Sequence, residues 1–272
     1  MKEISIKDIN KIIDALYESS GVDFSDYAFS SLKRRIHQFL SLRKIFDIDG
    51  FVEKIKDDRI YTDHLIEEIT VSVTEMFRDP IFWCAIRDSV LPVLNQLPVI
   101  NIWHAACSTG EEVLSMAILL EEMGILNKCK LLATDLNINA LRIAQNGIYP
   151  VKRQSINRKN YNHFGGERML EDYYKVKDNM VLFKKELIRN INFKFHDLTM
   201  DPSPGSFDLI VCRNVLIYFN QILQEKVVDL FNRSLKRNSF LAIGSKESIS
   251  WNKSAQNYKD VDIEFKIFQK TY

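Results

Sequence analysis

Val99-Ile100-Asn101-Ile102-Trp103-His104-Ala105-Ala106-Cys107-Ser108-Thr109-Gly110-Glu111-Glu112 decides the fold. An apolar run of strand length ends in a turn of small residues, and an apolar-periodic helix continues to Leu120. Strand, tight turn and helix in that order are how α/β folds build a nucleotide pocket. A second strand, Lys130-Leu131-Leu132-Ala133-Thr134, ends in Asp135, the position from which an acidic side chain can take a ribose diol. A third, Phe207 to Cys212, ends in Arg213-Asn214 and runs into Val215-Leu216-Ile217-Tyr218-Phe219. Three strand ends facing one crevice imply one ligand site.

Working outward, the order after residue 98 reads strand 99–105, helix 110–123, strand 129–134, helix 137–146, an insertion, strands 191–196 and 207–212, helix 219–236 and strand 239–244. The alternation predicts an α/β fold with a parallel, doubly wound, Rossmann-like sheet. Asp262 to Gln269, with Ile263, Phe265 and Ile267 alternating, reads as an edge strand added antiparallel. Before the sheet the pattern is helical: Ile9, Ile12, Ile13 and Leu16, then Leu32, Ile36, Phe39 and Leu40, then Phe51 and Ile55, then Leu65, Ile66 and Ile69. We therefore expect a small all-α N-terminal domain over 1–80, a linker helix over 81–98 bent near Pro92, and a second domain over 99–272. The stretch from about 150 to 190 breaks the alternation. Tyr174-Lys175-Val176 and Met180 to Lys184 flank Lys177-Asp178-Asn179, which predicts a small inserted β-subdomain, placed where a partner could dock.

Composition narrows the function classes. The 272 residues are 46% apolar, enough for real cores, and a formal net charge of +1 gives no overall pull toward nucleic acid or anionic lipid. No apolar run approaches the length that spans a bilayer, so no membrane insertion is expected, and the charged start at Met1 to Tyr17 points to a cytoplasmic protein. Cys84, Cys107, Cys129 and Cys212 form no CxxC pair and read as reduced core thiols. His37, His64, His104, His163 and His196 show no ligand spacing, and no metal is expected.

The turn at Ser108 to Glu112 has two readings. Ser108 or Thr109 can cap the helix, with Glu111 or Glu112 completing a capping box worth about 1 kcal/mol. Alternatively Gly110 lets a ligand approach the backbone, and a carboxylate at the helix start meets a cation. The G-x-G-x-x-G spacing that a dinucleotide pyrophosphate requires is absent, which disfavours NAD and FAD. A ligand without phosphates fits better. S-adenosylmethionine is such a ligand, with a ribose diol for Asp135, an ammonium for a helix-start Glu and a carboxylate for an Arg. Phe195-His196-Asp197-Leu198 closes a further strand with an acid that could accept from the adenine amine; taken alone, Asp197 would be a turn or cap residue.

Thr74-Glu75-Met76-Phe77-Arg78-Asp79-Pro80, Cys107-Ser108-Thr109-Gly110-Glu111-Glu112 and Cys212-Arg213-Asn214-Val215-Leu216-Ile217-Tyr218-Phe219, in this order and at these separations, resemble the chemotaxis receptor methyltransferases, the CheR family. The resemblance covers essentially the whole chain. It implies methyl transfer from S-adenosylmethionine, with S-adenosylhomocysteine as product, to glutamates on the cytoplasmic helices of chemoreceptors. Carried over by motif, it puts Ser72, Thr74, Arg78 and Gly110 at the cofactor, Glu112 and Asp135 on its methionine and ribose parts, and Asp197 and Leu198 near the adenine. Arg213, Asn214 and Tyr218 would line the transfer side, with Arg78 and Tyr218 holding the attacking carboxylate. Structural alternatives are an ion pair of Arg78 with Asp79 or Glu75, and a Tyr218 packed behind a strand end. The chain departs from the family pattern at Ser72 and Met76, at Val113, and at Ser245-Lys246-Glu247, and only Gly165-Gly166 is available in the insertion for tethering to a receptor tail.

A glutamate with a reference pKa near 4.3 is already ionised at neutral pH, so attack on a sulfonium methyl needs positioning rather than a general base. The basic run Lys33 to Lys44 holds five Lys or Arg and no acid on a helix whose other face is apolar. By pattern alone this is a solvated face; in the family that the chain resembles the helix faces the substrate, which implies that Arg34 and Arg35 dock glutamate-rich receptor helices. Two other readings are a methyltransferase for another protein or a small carboxylic acid, and a non-catalytic S-adenosylmethionine-binding signalling module. Nucleic-acid amine methylation is disfavoured, because the fourth strand lacks an Asn/Asp-Pro-Pro-aromatic run. A monomer is expected.

Overall fold

The computed structural model describes residues 4–70 and 74–272. The chain divides into two compact units, one of residues up to 72 together with 215–227, the other of 73–214 together with 228–272.

The first unit holds α1 (Ile6–Ser20), α2 (Phe29–Leu42), α3 (Ile48–Asp57) and α4 (Arg59–Ile69). Local chemistry sets their ends. The Ser5 hydroxyl accepts from the Asp8 N–H, Asp47 caps Gly50 and Asp58 caps Tyr61, while Gly21 closes α1 at φ +76°. Helices this short are marginal alone, so their stability must come from the faces they share. Every apolar position named above for this region, from Ile9 to Ile69, is buried. Residues 215–227 belong here through hydrogen bonds: the Ala28 N–H donates to the Tyr218 carbonyl at 2.8 Å and the Asn220 N–H to the Asp26 carbonyl at 2.9 Å. The Tyr27 and Phe219 rings pack edge-on with centroids 5.1 Å apart.

The second unit is built on a seven-stranded sheet of β1 (Ile100–Ala105), β2 (Cys129–Asp135), β6 (Ile191–Phe195), β7 (Phe207–Cys212), β8 (Leu235–Ile243), β9 (Tyr258–Asp262) and β10 (Ile267–Lys270), in the order β6-β2-β1-β7-β8-β10-β9. The first five strands are parallel. Between the strands run α7 (Glu111–Glu122), α8 (Ile138–Asn146) and, leading into β8, α11 (Gln221–Ser234). Every residue of β7 is buried, as expected of a central strand covered on both faces. The inserted segment forms a second sheet, β3 (Ile148–Pro150), β5 (Met180–Phe183) and β4 (Tyr174–Lys177) in that order, with α9 (Gln154–Phe164) and a short α10 (Lys185–Ile188).

Two local expectations are corrected. The segment 262–269 is not one edge strand: β10 lies between β8 and β9, and residues 263–266 are the turn joining them. The Asp262 carboxylate accepts from the Phe265 N–H at 2.9 Å and Lys266 takes φ +52°, so a side-chain-stabilised turn interrupts an alternation that sequence reads as continuous. The other correction concerns the start of α7. Its N-cap is Gly110 at φ +89° with no side-chain cap; the Thr109 hydroxyl instead bonds the Glu111 carboxylate, and no capping box forms. The linker is a helix in two pieces, α5 (Pro80–Ala85) and α6 (Leu91–Leu94), joined by a π-turn at Ile86–Val90. The wider turn lies just before Pro92, whose ring and missing N–H disrupt regular α-helix.

Candidate functional site

Because the chain moves from β1 outward to β2 and β6, then returns to the other side of β1 for β7 and β8, the strand order reverses between β1 and β7. The crevice outside the carboxyl ends of strands at such a reversal is where open α/β sheets bind ligands. Here the residues that follow the strands meet in an ionic chain that is buried at His104 and Arg213 and opens to solvent at Asp79. The Nδ1 of His104, on β1, lies 3.1 Å from one oxygen of Glu112; the other oxygen accepts from the Arg213 guanidinium at 3.3 Å. Arg213 also donates to Asp79 at 2.5 Å and to the Arg78 carbonyl at 3.4 Å, and lies over the Phe82 ring with its guanidinium carbon 3.9 Å from the centroid. Burial would raise the Glu112 carboxyl, but the His104 hydrogen bond and the Arg213 charge together hold it below its ordinary value.

Asp135 closes β2. Its carboxylate accepts the Ser108 N–H at 2.7 Å and the Asn137 N–H at 2.8 Å. Burial nonetheless raises its pKa, the N–H donors opposing the shift. Asp197, after β6, accepts the Thr199 N–H at 2.7 Å, and Leu198 is buried beside it. The turn role that Asp197 would have by itself is therefore present. Asn214 adopts φ +63°, and its N–H donates to Glu247, which also takes the Gly244 N–H.

The stretch from Thr74 to Pro80 is held from two directions. The Met76 N–H donates to the Asn157 side chain, Asn160 bonds both Glu75 and the Met76 carbonyl, and the Phe77 N–H donates to Ser115 on α7. The Phe77 ring packs against Trp83, Tyr161 and Phe164. Phe77, Asp79, Ala106, Ser108 and Asn214 all have positive φ, a concentration of strained backbone at the strand tips that points to function. Asp79, one of the two acids offered as an alternative partner of Arg78, is taken by Arg213, and no ion pair of Arg78 is formed among the described residues. Cys107 and Cys212 are buried, and burial pushes their thiols well up, which makes neither a nucleophile.

Reading the sequence missed His104, Asn157 and Asn160. A histidine inside the apolar run of β1 was the signal for the first, and the Asn157, Asn160 spacing on a helix that buries Tyr161 and Phe164 was the signal for the others. Ser72 lies outside the described residues. Tyr218, Arg34 and Arg35 belong to the helical unit, where the Arg35 guanidinium lies over the Tyr218 ring at 5.3 Å from its centroid and Arg34 is exposed.

The donor set fits a cationic ligand without phosphates. Two carboxylates occupy the first turn of α7, where a phosphate would otherwise bind, and the Arg213 Nε and Ser108 Oγ are buried with no partner among the described residues. Comparison with known proteins gives the same result. Residues 72–265 match the CheR methyltransferase SAM-binding domain and residues 7–70 the CheR methyltransferase all-alpha domain. The chain belongs to the CheR methyltransferase family. It is 37% identical over 264 residues to a Pseudomonas putida methyltransferase named Cher3, covering 97% of each chain. It is 33% identical over 231 residues to the chemotaxis protein methyltransferase of Listeria monocytogenes (84% of this chain, 85% of that one) and 30% identical over 269 residues to that of Borreliella burgdorferi (93% and 92%). The cofactor of this family's sheet domain is S-adenosylmethionine. Among the described residues no group of His, Cys, Asp and Glu could hold a metal ion, and no helix is long and apolar enough to cross a membrane.

Proposed function

We propose that this member of the CheR family transfers a methyl group from S-adenosylmethionine to glutamate side chains on the cytoplasmic helices of a chemoreceptor. The observation that carries the reading is Arg78: its backbone is bound into the Arg213 chain, its usual acidic neighbour is engaged elsewhere, and its guanidinium has no ion pair among the described residues. A cation held in that way suits an incoming carboxylate. When bound, S-adenosylmethionine supplies a methyl group on a positively charged sulfur.

The chain's residues then have separable tasks. Glu112 receives the ammonium and Asp135 the ribose hydroxyls, with Asp197 and Leu198 beside the adenine and Thr74, Gly110, Arg213 and Asn214 completing the cofactor site. Ser72 is assigned to the same site by the motif alone. Arg78 holds the attacking glutamate carboxylate ionised and in line, a task to which Tyr218 is assigned by the motif alone, so that the carboxylate oxygen bonds to the methyl carbon as the carbon–sulfur bond breaks, leaving a methyl ester and the neutral thioether of S-adenosylhomocysteine. No proton moves, so the step asks for positioning and not for a general base. Within the helical unit, Arg35 stacked on Tyr218 and exposed Arg34 present positive charge to an acidic receptor helix.

The test is methyl transfer from labelled S-adenosylmethionine to a receptor cytoplasmic fragment, followed by peptide mapping. Base-labile label on glutamates is expected. The double reversal Arg34→Glu, Arg35→Glu should slow transfer at least tenfold while the Kd for S-adenosylhomocysteine stays within twofold. Cofactor binding without any methyl ester would favour the signalling-module reading instead.

A further inference from the structure

We infer that His104 is a positioning residue for the methyl donor, fixing the Glu112 carboxylate that receives the donor's ammonium. The inference rests on the assignment of Glu112 to the cofactor's methionine part. His104 sits in β1 opposite Ala133 of β2 and Val211 of β7, and is wholly buried. Packing alone does not account for an imidazole there, because burial strips water from two ring nitrogens and, among the described residues, only Nδ1 finds a partner and Nε2 has none.

The pairing fixes the tautomer. Glu112 is kept ionised and can only accept, so we assign to Nδ1 the proton that lies between them. Glu112 is then held from both sides, by His104 through one oxygen and by Arg213 through the other. Its side chain keeps 17% exposure, whereas those of His104 and Arg213 keep 0% and 2%. A carboxylate accepts about four hydrogen bonds, so with two used inside the protein, lone pairs remain for a ligand. Arg213 alone would leave the carboxylate free to pivot about one bond. A second donor from a different strand removes that freedom.

The experiment measures the Kd of two ligands by calorimetry: S-adenosylhomocysteine, which carries the ammonium, and 5′-methylthioadenosine, which lacks the amino-acid end. Three variants are compared: His104→Leu (no donor), His104→Asn (a donor near the Nδ1 position) and His104→Gln (a donor nearer the Nε2 position). His104→Leu and His104→Gln should each weaken S-adenosylhomocysteine about tenfold and His104→Asn less than threefold, with 5′-methylthioadenosine unchanged within twofold throughout. His104→Gln supplies the comparison if His104→Leu does not fold. Equal weakening of both ligands, unchanged S-adenosylhomocysteine binding in the donor-free variant, or failure of His104→Asn to retain affinity would overturn the role of His104. Wild-type protein that binds neither ligand would instead overturn the cofactor assignment on which it rests.

Discussion

Gly110 offers the sharpest test of the turn after β1, because the cost of a side chain there separates into two parts. At φ +89° any other residue incurs the left-handed penalty, about 1–2 kcal/mol. A Cβ would also fall 2.6 Å from the Ala144 Cβ, 3.1 Å from its Cα and 3.3 Å from the Tyr149 hydroxyl. Backbone and a buried ring cannot yield as a long side chain can, and overpacking of this kind typically costs a further 1–3 kcal/mol. Gly124 is the internal control: it has φ +69°, yet a Cβ there meets nothing within 4 Å. Gly124→Ala should therefore cost about 1–2 kcal/mol and Gly110→Ala about 2–5 kcal/mol, the latter lowering Tm by roughly 5–15 °C for a domain of this size. Urea unfolding and thermal melts of both variants measure the difference. Displacing Gly110 also drags on the Ser108 N–H that binds Asp135 and on the Thr109 carbonyl that takes the Tyr149 hydroxyl, so affinity for S-adenosylhomocysteine should fall with stability. If the two variants melted together, close packing of the turn against α8 and β3 would not be what makes glycine necessary.

Arg213→Met leaves the Glu112 and Asp79 carboxylates without their shared partner. With Asp79 42% exposed and able to rehydrate, we expect a loss of about 2–4 kcal/mol in urea unfolding and no rescue by Arg213→Lys, which cannot reach both acids. The ribose recognition proposed for Asp135 uses its ionised form, and its raised pKa means that acidification protonates it sooner than an ordinary aspartate. The Kd for S-adenosylhomocysteine, measured across acidic pH, should rise on approach to that value from above and level off above it; Asp135→Asn should bind weakly with this part of the pH dependence gone.

Every position that periodicity picked out in the four N-terminal helices is buried, because one apolar stripe per helix leaves a direct trace in sequence. The parallel strands were legible for a related reason, being short apolar runs bounded by turns. What escaped depends on partners distant in the chain. Asn157 and Asn160 act on Met76 across separations of 81 and 84 residues, and nothing local marks them as anchors for the stretch from Thr74 to Pro80. The allegiance of residues 215–227 to the helical unit comes from pairing with Asp26 and Ala28, which sequence order hides. The start of α7 misled because serine, threonine and glutamate at those positions suit a capping box, yet Ser108 is turned to φ +51° and its N–H is drawn to Asp135. Long-range hydrogen bonding overrode a local preference.

The same bonds explain why recognition and stability are coupled here. Three of the five strained residues are each secured by a side-chain acceptor: Phe77 through Ser115, Ser108 through Asp135, Asn214 through Glu247. Left-handed or otherwise sparse conformations cost about 1–3 kcal/mol apiece and persist only where surrounding structure over-determines them. Asp135 therefore does two things at once, clamping the turn after β1 and presenting a carboxylate at the end of β2. Truncating it to alanine would remove both, and lost affinity could not be told from a relaxed turn. Asp135→Asn keeps an acceptor for one N–H while removing the charge, so a fall in affinity that exceeds the fall in stability would separate the ligand's share from the fold's.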